Sequence, residues 1–271
     1  MIQFHPTTIK TPHKNMLISE AARGAGGRLF YLDGERRVYF MEEYFGENGN
    51  LMPRDVVSRC MNEAPSQVYL DISFLGEELI HQRLEEVYDL CKSYINLDVC
   101  TEPIPVEPSI HFFMGGVAVD KNHKSNIDNL YAVGECASAY HGANRLGGNS
   151  LLACIYSGAV AAVHIETLLE NPEADFSAYL EECKAALKPM SDFDTHQPGD
   201  YVLDLLHDEL GKSLGSVRDG KTMYDSLDIV QGMRELCEQV GFDLESGKYC
   251  DFRLPSQLVL AKACIASALA R

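Results

Sequence analysis

The sequence predicts an α+β protein in which strands and helices are mixed at first and helices alone follow. Three observations predict this class. Short apolar runs, turns and helix-like segments alternate over residues 1–108. Residues 109–165 are rich in glycine and small residues and have the order strand, loop, glycine turn, helix. Residues 166–271 carry the apolar spacing of helices, with polar breaks between the segments.

Turn residues and apolar spacing define the elements of the first part. Pro6 ends a strand, because proline has no N–H for a sheet. The glycine run at 24–27 ends a helix, Asp33 and Gly34 form a hairpin turn, and Pro53 begins a helix. The predicted elements are a strand over 1–4, a helix over 16–23, a hairpin over 28–40, a helix over 54–61, a strand over 68–72 and a helix over 77–94.

The second part ends in a helix that follows a glycine turn. An apolar run predicts a buried strand over 129–135, and residues 111–116 predict a strand that enters a tight turn. Gly147 and Gly148 precede a predicted helix over 151–169. Such a turn directs a helix N-terminus at an anionic or electron-rich group, because the unpaired N–H groups there carry partial positive charge.

The third part is helical by composition. Apolar residues recur on one face of each of four segments, as expected of helices that pack on one another. The last segment is still apolar where the sequence stops at Arg271, so we expect that the chain has been cut within this region. The predicted helices cover 175–187, 200–214, 223–240 and 254–269.

The charge balance excludes one large class of function. There are 23 Lys and Arg residues against 40 Asp and Glu residues, which gives a net charge of −17. Nucleic-acid binding needs clustered basic side chains, so it is not expected. The acidic surface repels anions in general. An anionic substrate therefore needs a local basic pocket.

Cysteine usage and hydropathy indicate a cytoplasmic chain without a metal site. The nine cysteines are scattered singly, without a C-x-x-C pair, which predicts no metal ligands and favours reduced thiols. No run reaches the roughly 18 apolar residues of a membrane span. The N-terminus lacks the basic start and apolar core of a secretory signal.

Four clusters carry cationic or titratable side chains. Taken alone, the first three favour structural roles: a core or turn histidine, a solvated helix start, and a histidine in a strand. The fourth is more specific, because Arg145 lies on a glycine-framed loop that lets the backbone approach a ligand closely. Glycine fingerprints for dinucleotides, phosphate loops and serine-hydrolase elbows are absent from the sequence. The clusters are QFHPT at 3–7, PRDVVSR at 53–59, HFFMGG at 111–116 and HGANRLGGNSL at 141–151.

These motifs, with SEAARGAGG and LYAVGE between them, resemble the succinate dehydrogenase/fumarate reductase flavoprotein family. L-Aspartate oxidase shares most of them. The likeness is strong over 1–165, and LGSVRDG at 214–220 is compatible with the family's helical domain. The resemblance implies a capping domain over 1–108, the returning segment of an FAD-binding α/β domain over 109–165, and a truncated helical domain over 166–271. It also implies a fragment that lacks the N-terminal Rossmann segment.

The resemblance implies a site for a C4 dicarboxylate such as fumarate or succinate. His5 and His111 would bind its carboxylates, and Arg145 would hold the second carboxylate through its bidentate fork. Ser19 stands where the family often has threonine, and its hydroxyl would make the same hydrogen bond.

The resemblance also implies the catalytic residues. Arg54 would be the acid that protonates one alkene carbon, while reduced flavin N5 gives a hydride to the other. Arginine is ordinarily too basic for this role, so a relay must replace its proton quickly. Glu20 and Arg23 match the relay positions, and their spacing of three puts them on one helical face.

The implied cofactor is FAD, with contacts from the second part of the chain. Glu135 would bind its ribose or ribityl hydroxyls. Asn149, Ser150 and Leu151 lie at the implied flavin contact, where Ser150 and Leu151 would present backbone N–H groups to the flavin O2/N1 edge. The dipole of that helix would then stabilise negative charge on reduced flavin.

Several alternatives stay open on sequence alone. The parent enzyme could be an L-aspartate oxidase or a flavin reductase of another unsaturated acid, and the isolated chain could be a non-catalytic module without FAD. An iron–sulfur subunit or a soluble donor would supply electrons, and a partner subunit would provide any membrane association. We also expect self-association through uncovered apolar surface.

Overall fold

A six-stranded antiparallel sheet organises the first part of the chain. The computed structural model describes residues 1–11, 14–168, 177–186, 199–240 and 249–270. The contacts divide the chain into two compact units, Met1–Leu169 and Glu170–Arg271. The first unit holds the sheet and several helices, and the described part of the second is helical. The predicted α+β class is therefore confirmed as a mixture of helix and antiparallel sheet.

The sheet brings the two ends of the first 113 residues together. Its strand order is β2-β1-β6-β5-β3-β4, so the first strand lies beside the last one. Ile2 pairs with Phe113, and Gln3 pairs with Phe112. The strands are β1 Ile2–Lys10, β2 Asn15–Leu17, β3 Arg28–Asp33, β4 Arg36–Val38, β5 Val68–Asp71 and β6 Ile104–Phe113.

Strand β1 continues through Pro6, so the predicted strand end at this proline is wrong. The register shifts from His5 opposite Ser109 to Thr8 opposite Glu107, so β1 advances three residues where β6 advances two. Such a bulge leaves one residue out of the ladder, and a proline without an N–H is tolerated there. The irregularity directly follows His5.

Ten helices are described, six of them in the first unit. Helix α3 starts directly after Pro53, as predicted, and it packs on β1. The helices of the first unit are α1 Ala21–Gly24, α2 Phe40–Phe45, α3 Arg54–Glu63, α4 Glu77–Arg83, α5 Glu85–Ile95 and α6 Asn149–Glu166. Those of the second are α7 Ser177–Ala186, α8 Gly199–Ser213, α9 Gly220–Val240 and α10 Tyr249–Leu269.

Two predicted helices differ from the observed ones. The helix predicted over 16–23 is a short strand followed by the single turn of α1. Met16 pairs with Ile9, and the Ile18 N–H donates to the Thr7 carbonyl. These backbone groups therefore bond to β1 instead of forming helical hydrogen bonds. The helix predicted over 77–94 is broken at Leu84, whose φ of −129° is not helical.

The strand predicted over 129–135 is also wrong. This run makes one antiparallel bridge, Lys124 with Tyr131, and then forms a 3₁₀ turn at Gly134–Cys136. A strand needs a neighbour along its length, and no described segment supplies one here. The hairpin at Asp33-Gly34, the strand from Val68 and the helix after the glycine turn are confirmed.

The core of the first unit lies between the sheet and its helices. Fully buried side chains come from three strands and α3, and each contributes roughly 1.5–3 kcal/mol by leaving water. They include Leu29, Leu70, Ile104 and Val57. This packing fixes the start of α3 against β1, which matters because both elements carry polar side chains at that junction.

The described part of the second unit is a set of packed helices. Helix α10 contacts both α8 and α9. The Ser226 hydroxyl donates to the buried Glu209 carboxylate at 2.6 Å, which ties α9 to α8. None of the described helices is both long and apolar enough to span a bilayer. The ends of two predicted helices, residues 169, 175, 176 and 187, and Arg271 lie outside the described residues.

Candidate active site

Glu20 is shared by two arginines at the junction of α1 and α3. Its Oε1 accepts from Arg23 Nη2 at 2.5 Å, and its Oε2 accepts from Arg54 Nη2 at 2.6 Å and Nε at 3.2 Å. Burial opposes ionisation of Glu20, but the hydrogen bond from Arg54 and the charges of Arg54 and Arg23 outweigh it, so the pKa of the carboxyl is lowered. Glu20 therefore holds its charge between two guanidiniums.

Arg23 is the more deeply buried of the two arginines. Its side chain is 1% exposed, against 11% for Arg54. Arg23 Nη1 donates to the Asn50 carbonyl at 2.6 Å, and its Nε is buried without a hydrogen-bond partner among the described residues. Burial, and then the charge of Arg54, lower the pKa of Arg23, which makes this guanidinium a better proton donor than an exposed one.

Gln3 connects Arg54 to the loop that carries Arg145. Its Oε1 accepts from Arg54 Nη1 at 3.2 Å, while its Nε2 donates to the Arg145 carbonyl at 2.7 Å and to Asn144 Oδ1 at 3.0 Å. Asn144 Nδ2 in turn donates to Asp55 at 3.2 Å. The first turn of α3 is therefore joined to this loop through two amide side chains.

Two neutral histidines line the same region. The ring centroids of His5 and His111 lie 5.3 Å apart. Burial, assisted by the charges of Arg54 and His111, lowers the pKa of His5 to about 3. His111 is partly exposed, and its partial burial with the charges of Arg54 and Arg145 lowers its pKa too. Both rings are uncharged at neutral pH.

The proton of His5 can be assigned from its neighbours. The backbone N–H of Thr7 donates to His5 Nδ1 at 3.3 Å, so Nδ1 is the acceptor. A neutral imidazole then carries its proton on Nε2. That Nε2 is buried without a partner in the described residues. His5 therefore holds an unused N–H donor in the site.

Arg145 is buried against an aromatic ring. It is 4% exposed, and its Cζ lies 4.5 Å from the centroid of Phe112. The ring of His141 stands nearly perpendicular to the same ring, with the two centroids 5.5 Å apart. Arg145 Nε has no partner in the described residues, and Nη1 makes one long bond of 3.4 Å to the Leu146 carbonyl. Burial, and then the charge of Arg54, lower the pKa of Arg145.

Helix α6 begins beside this cluster. Gly148 caps it at a φ of 81°, a conformation that glycine adopts readily. A Cβ on Gly147 would lie 3.1 Å from Glu20 Oε2, so a side chain there would crowd the carboxylate. Glu135 lies at the far edge, where its Oε1 accepts from the Phe113 N–H at 2.8 Å.

The structure brings most of the predicted site residues together. His5, Glu20, Arg23, Arg54, His111 and Arg145 form one cluster linked by contacts or electrostatic interaction. Ser19 precedes Glu20, and its hydroxyl accepts from the Ala21 N–H at 3.3 Å. Asn149, Ser150 and Leu151 form the first turn of α6. The roles of all these residues stay predictions.

Sequence reasoning missed four residues of this region, Gln3, Asn50, Phe112 and Asn144. Three of them stand inside the sequence motifs, close to the histidine or arginine that carries the predicted role. A polar residue next to a predicted site residue is a usable signal for Gln3 and Asn144. Asn50 carries no such signal, because its link to Arg23 depends on the fold.

Known proteins match this chain at the level of family. The model of the FAD binding domain family matches residues 1–151. The chain belongs to this FAD-binding family. The flavoprotein is 34% identical over 261 residues to the succinate dehydrogenase flavoprotein subunit of Bacillus subtilis, covering 89% of this chain and 44% of that relative. It is 40% identical over 181 residues to the L-aspartate oxidase of Clostridium perfringens, covering 64% of this chain and 39% of that one.

A solved quinol fumarate reductase of E. coli has the same fold. The TM-score is 0.82 at 30% identity, covering 100% of this chain and 51% of the other. The predicted family is thus confirmed, and FAD is its cofactor. The chain spans about half or less of the lengths of these relatives.

The residues at the start of α6 fit FAD. The helix has 18 residues, and its N-cap residue, Gly148, has no side chain to cap the positive end, which suits the electron-rich edge of a flavin. Leu146, Leu151, Leu152 and Ile155 are 72%, 72%, 65% and 70% exposed there, so apolar surface is open beside the uncapped N–H groups. A flat ring with one electron-rich edge suits such a surface.

Proposed function

We propose that this chain is part of a flavoprotein that interconverts fumarate and succinate, with Arg54 as the proton donor. The observation that carries the proposal is the Arg54–Glu20–Arg23 cluster beside an unused histidine donor and the buried Arg145. Asn149, Ser150, Leu151 and Glu135 would hold FAD. When bound, reduced FAD supplies a hydride to one alkene carbon.

The positive charge of the cluster supports a dianionic substrate. The cluster holds three largely buried guanidiniums, and its one bonded carboxylate, Glu20, pairs with Arg23 and Arg54. This leaves surplus positive charge at the site in a chain whose net charge is −17. One substrate carboxylate would accept from Arg145 and the other from His5 Nε2 and His111, and charge-assisted bonds of the first kind are the strong ones. L-Aspartate, with its ammonium group, offsets less of this charge.

The relay would work through proton exchange along three side chains. Arg54 gives its proton to the alkene carbon opposite the one that takes the hydride, so fumarate gains one hydride and one proton and becomes succinate. Arg54 then regains a proton through Glu20, and Arg23 resupplies Glu20. The bonds of 2.5 and 2.6 Å along this chain support the exchange, since proton transfer needs contact of this kind.

The domain organisation is proposed with the function. Residues 1–108 would cap the site, 109–165 would complete the FAD domain, and 166–271 would belong to a helical domain. We also propose an electron-transfer partner, an iron–sulfur subunit or a soluble donor, through which any membrane association would arise.

The test is fumarate-dependent oxidation of a reduced viologen dye by the full-length, FAD-loaded protein. We expect Arg54→Ala to lose turnover by on the order of 100-fold or more while flavin absorbance stays. Arg59→Ala is the matched control, because Arg59 lies on the same helix and is 56% exposed; it should keep turnover. Peroxide production with L-aspartate and no fumarate turnover would assign the protein to the oxidases instead.

Exposed apolar residues on α6 support self-association of the isolated chain. Tyr156 and Val163 are 57% and 64% exposed in addition to the leucines near its start. Exposed patches of this kind promote association. Sedimentation should show dimers or larger species that grow with concentration, whereas a monomer over a wide concentration range would contradict the proposal.

A further inference from the structure

Asn50 lies in a tight turn whose position is fixed by α2. The turn is the 3₁₀ segment Gly49–Leu51, and Asn50 is 6% exposed. A Cβ on Gly49 would lie 2.0 Å from the Met41 carbonyl oxygen, so the turn packs directly on the backbone of α2. The carbonyl of Asn50 therefore has little freedom to move.

This carbonyl holds Arg23 through a nitrogen that Glu20 does not use. Arg23 Nη1 donates to it at 2.6 Å, while Nη2 donates to Glu20 at 2.5 Å. Two bonds at different nitrogens define the plane of a guanidinium. Without the bond to Asn50, Arg23 would keep only Glu20, whose side chain is 41% exposed. Arg23 would then be free to rotate about that single bond.

The side chain of Asn50 locks the turn through one acceptor and one donor. Its Oδ1 accepts from the Leu29 N–H at 2.9 Å, and its Nδ2 donates to Glu42 Oε1 at 3.1 Å. Glu42 is fixed in turn by Arg28, which donates to it from Nε at 2.6 Å and from Nη2 at 2.5 Å. An amide suits this place, because it accepts at one atom and donates at the other.

We propose that Asn50 is a positioning residue of the proton relay. Its side-chain amide anchors the 49–51 turn to β3 and α2. Its backbone carbonyl then holds Arg23 in line with Glu20 and Arg54. This inference rests on the proposed function, because it assigns the relay a support outside the substrate contacts. Asn50 touches neither His5, His111 nor Arg145 in any contact described above, so it would affect proton supply and leave substrate binding intact.

The test is Asn50→Asp in the full-length, FAD-loaded protein. The new carboxylate can still accept from Leu29 but cannot donate to Glu42, and the two like charges repel. We expect kcat for fumarate to fall 10- to 100-fold, because small displacements of catalytic groups are costly. KM should stay within about threefold, the calorimetric Kd for succinate should not change, and the solvent deuterium isotope effect on kcat should rise.

A second substitution that restores a hydrogen bond to position 50 distinguishes a loss of positioning from general destabilisation of the fold. Adding Glu42→Gln to Asn50→Asp exchanges donor and acceptor, since the amide introduced at position 42 can donate to the carboxylate introduced at position 50. The amide at position 42 keeps one oxygen for Arg28 Nη2 but no longer accepts from Arg28 Nε, so this double variant should recover part of kcat and exceed Asn50→Asp alone. Asn48→Asp is the matched control, because it adds the same charge at an exposed position just before the turn, and its kcat should not change. Should Asn50→Asp fail to fold, Asn50→Ala should also show a lower kcat with an almost unchanged KM.

The outcomes distinguish this inference from the proposed function. Wild-type protein that does not reduce fumarate overturns both. Wild-type turnover with an unchanged kcat in Asn50→Asp or Asn50→Ala overturns the inference alone. A loss of succinate affinity equal to the loss of kcat, or a double variant without recovery, also overturns it, because Asn50 would then serve overall structure.

Discussion

Two buried arginines of the cluster, Arg23 and Arg145, have different partners. Arg23 faces a carboxylate and a carbonyl oxygen, whereas Arg145 faces the ring of Phe112 and a single distant carbonyl. Both terminal nitrogens of Arg23 have acceptors within the fold, and one of those acceptors is a carboxylate. Arg145 is a buried cation that no described carboxylate contacts, so it is ready for an anion from outside. The comparison distinguishes the arginine of the proposed relay from the proposed anchor for substrate.

The largest expected effect comes from removing the anchor. Arg145→Met should weaken succinate binding by about 2–5 kcal/mol, or roughly 30-fold and more, because one substrate carboxylate loses its charged partner. Without ligand the variant should melt no lower than wild type, since replacing an uncompensated buried charge by an apolar chain is often neutral or stabilising. Calorimetry and thermal melting measure the two quantities.

The matched contrast is Arg23→Met. It should lower the melting temperature, because the Asn50 carbonyl loses its donor in a buried place and Glu20 loses one of its two arginine partners. Succinate affinity should change little. A destabilised Arg145→Met, or a stabilised Arg23→Met, would show that the two environments do not differ in the way described.

The next effect concerns pH, through the neutral histidine of the cluster, His5. Burial lowers the pKa of His5 from 6.5 to about 3 in the folded chain. Between these two pH values the unfolded chain binds a proton at His5 and the folded chain does not. The free energy of unfolding should therefore fall as pH drops from 6.5 toward 3, by up to about 1.4 kcal/mol per pH unit.

His5→Gln should flatten this dependence in denaturant titrations across that range. His81→Gln is the control, because His81 is 41% exposed on α4, and its profile should follow wild type. A His5→Gln profile as steep as wild type would mean that other groups cause the acid sensitivity.

A smaller effect is expected at the ring beneath Arg145. Phe112→Leu removes a cation–π contact that is worth about 0.5–2 kcal/mol. Succinate affinity should fall by roughly 2- to 30-fold, because the Arg145 guanidinium loses the aromatic ring that holds it in place but keeps its charge. Phe112→Tyr retains the ring and should bind almost normally. Equal losses of succinate affinity in the two variants would show that the fit of the side chain at position 112, and not its aromatic ring, supports Arg145.

The smallest effect is expected at Asn144, next to Arg145 in the chain. Asn144 is exposed and links Gln3 to Asp55. Asn144→Ala should cost no more than about 1 kcal/mol in succinate affinity, because Gln3 still donates to the Arg145 carbonyl. A larger loss in calorimetry would show that the loop depends on this amide.

The sequence predicted the parts of the site that local spacing controls. Glu20 and Arg23 are three residues apart, and their contact follows from one turn of helix. Pro53 predicted the helix that begins with Arg54. The hairpin at Asp33-Gly34 followed from its turn residues in the same way.

Contacts between distant segments could not be predicted. Gln3 bonds to residues 141 and 142 positions away, and Asn50 bonds to Arg23 across 27 positions. The bonds of Gln3 accompany the sheet pairing that joins β1 to β6, and the bond of Asn50 depends on a turn held by β3 and α2. The mistaken strand over 129–135 has the same cause, since an apolar run does not reveal whether a partner strand is present.

The pairing of β1 with β6 has a consequence for synthesis. Strand β1 lies inside the sheet, yet its partner ends at Phe113, about a hundred residues later. At 5–20 residues per second a ribosome needs about 5–20 s to deliver that partner. Throughout this delay the backbone edge of β1 has no strand on one side, so the nascent chain is open to wrong pairing until β6 emerges. Arg145 emerges later still, so the proposed anion anchor is the last part of the cluster to be made.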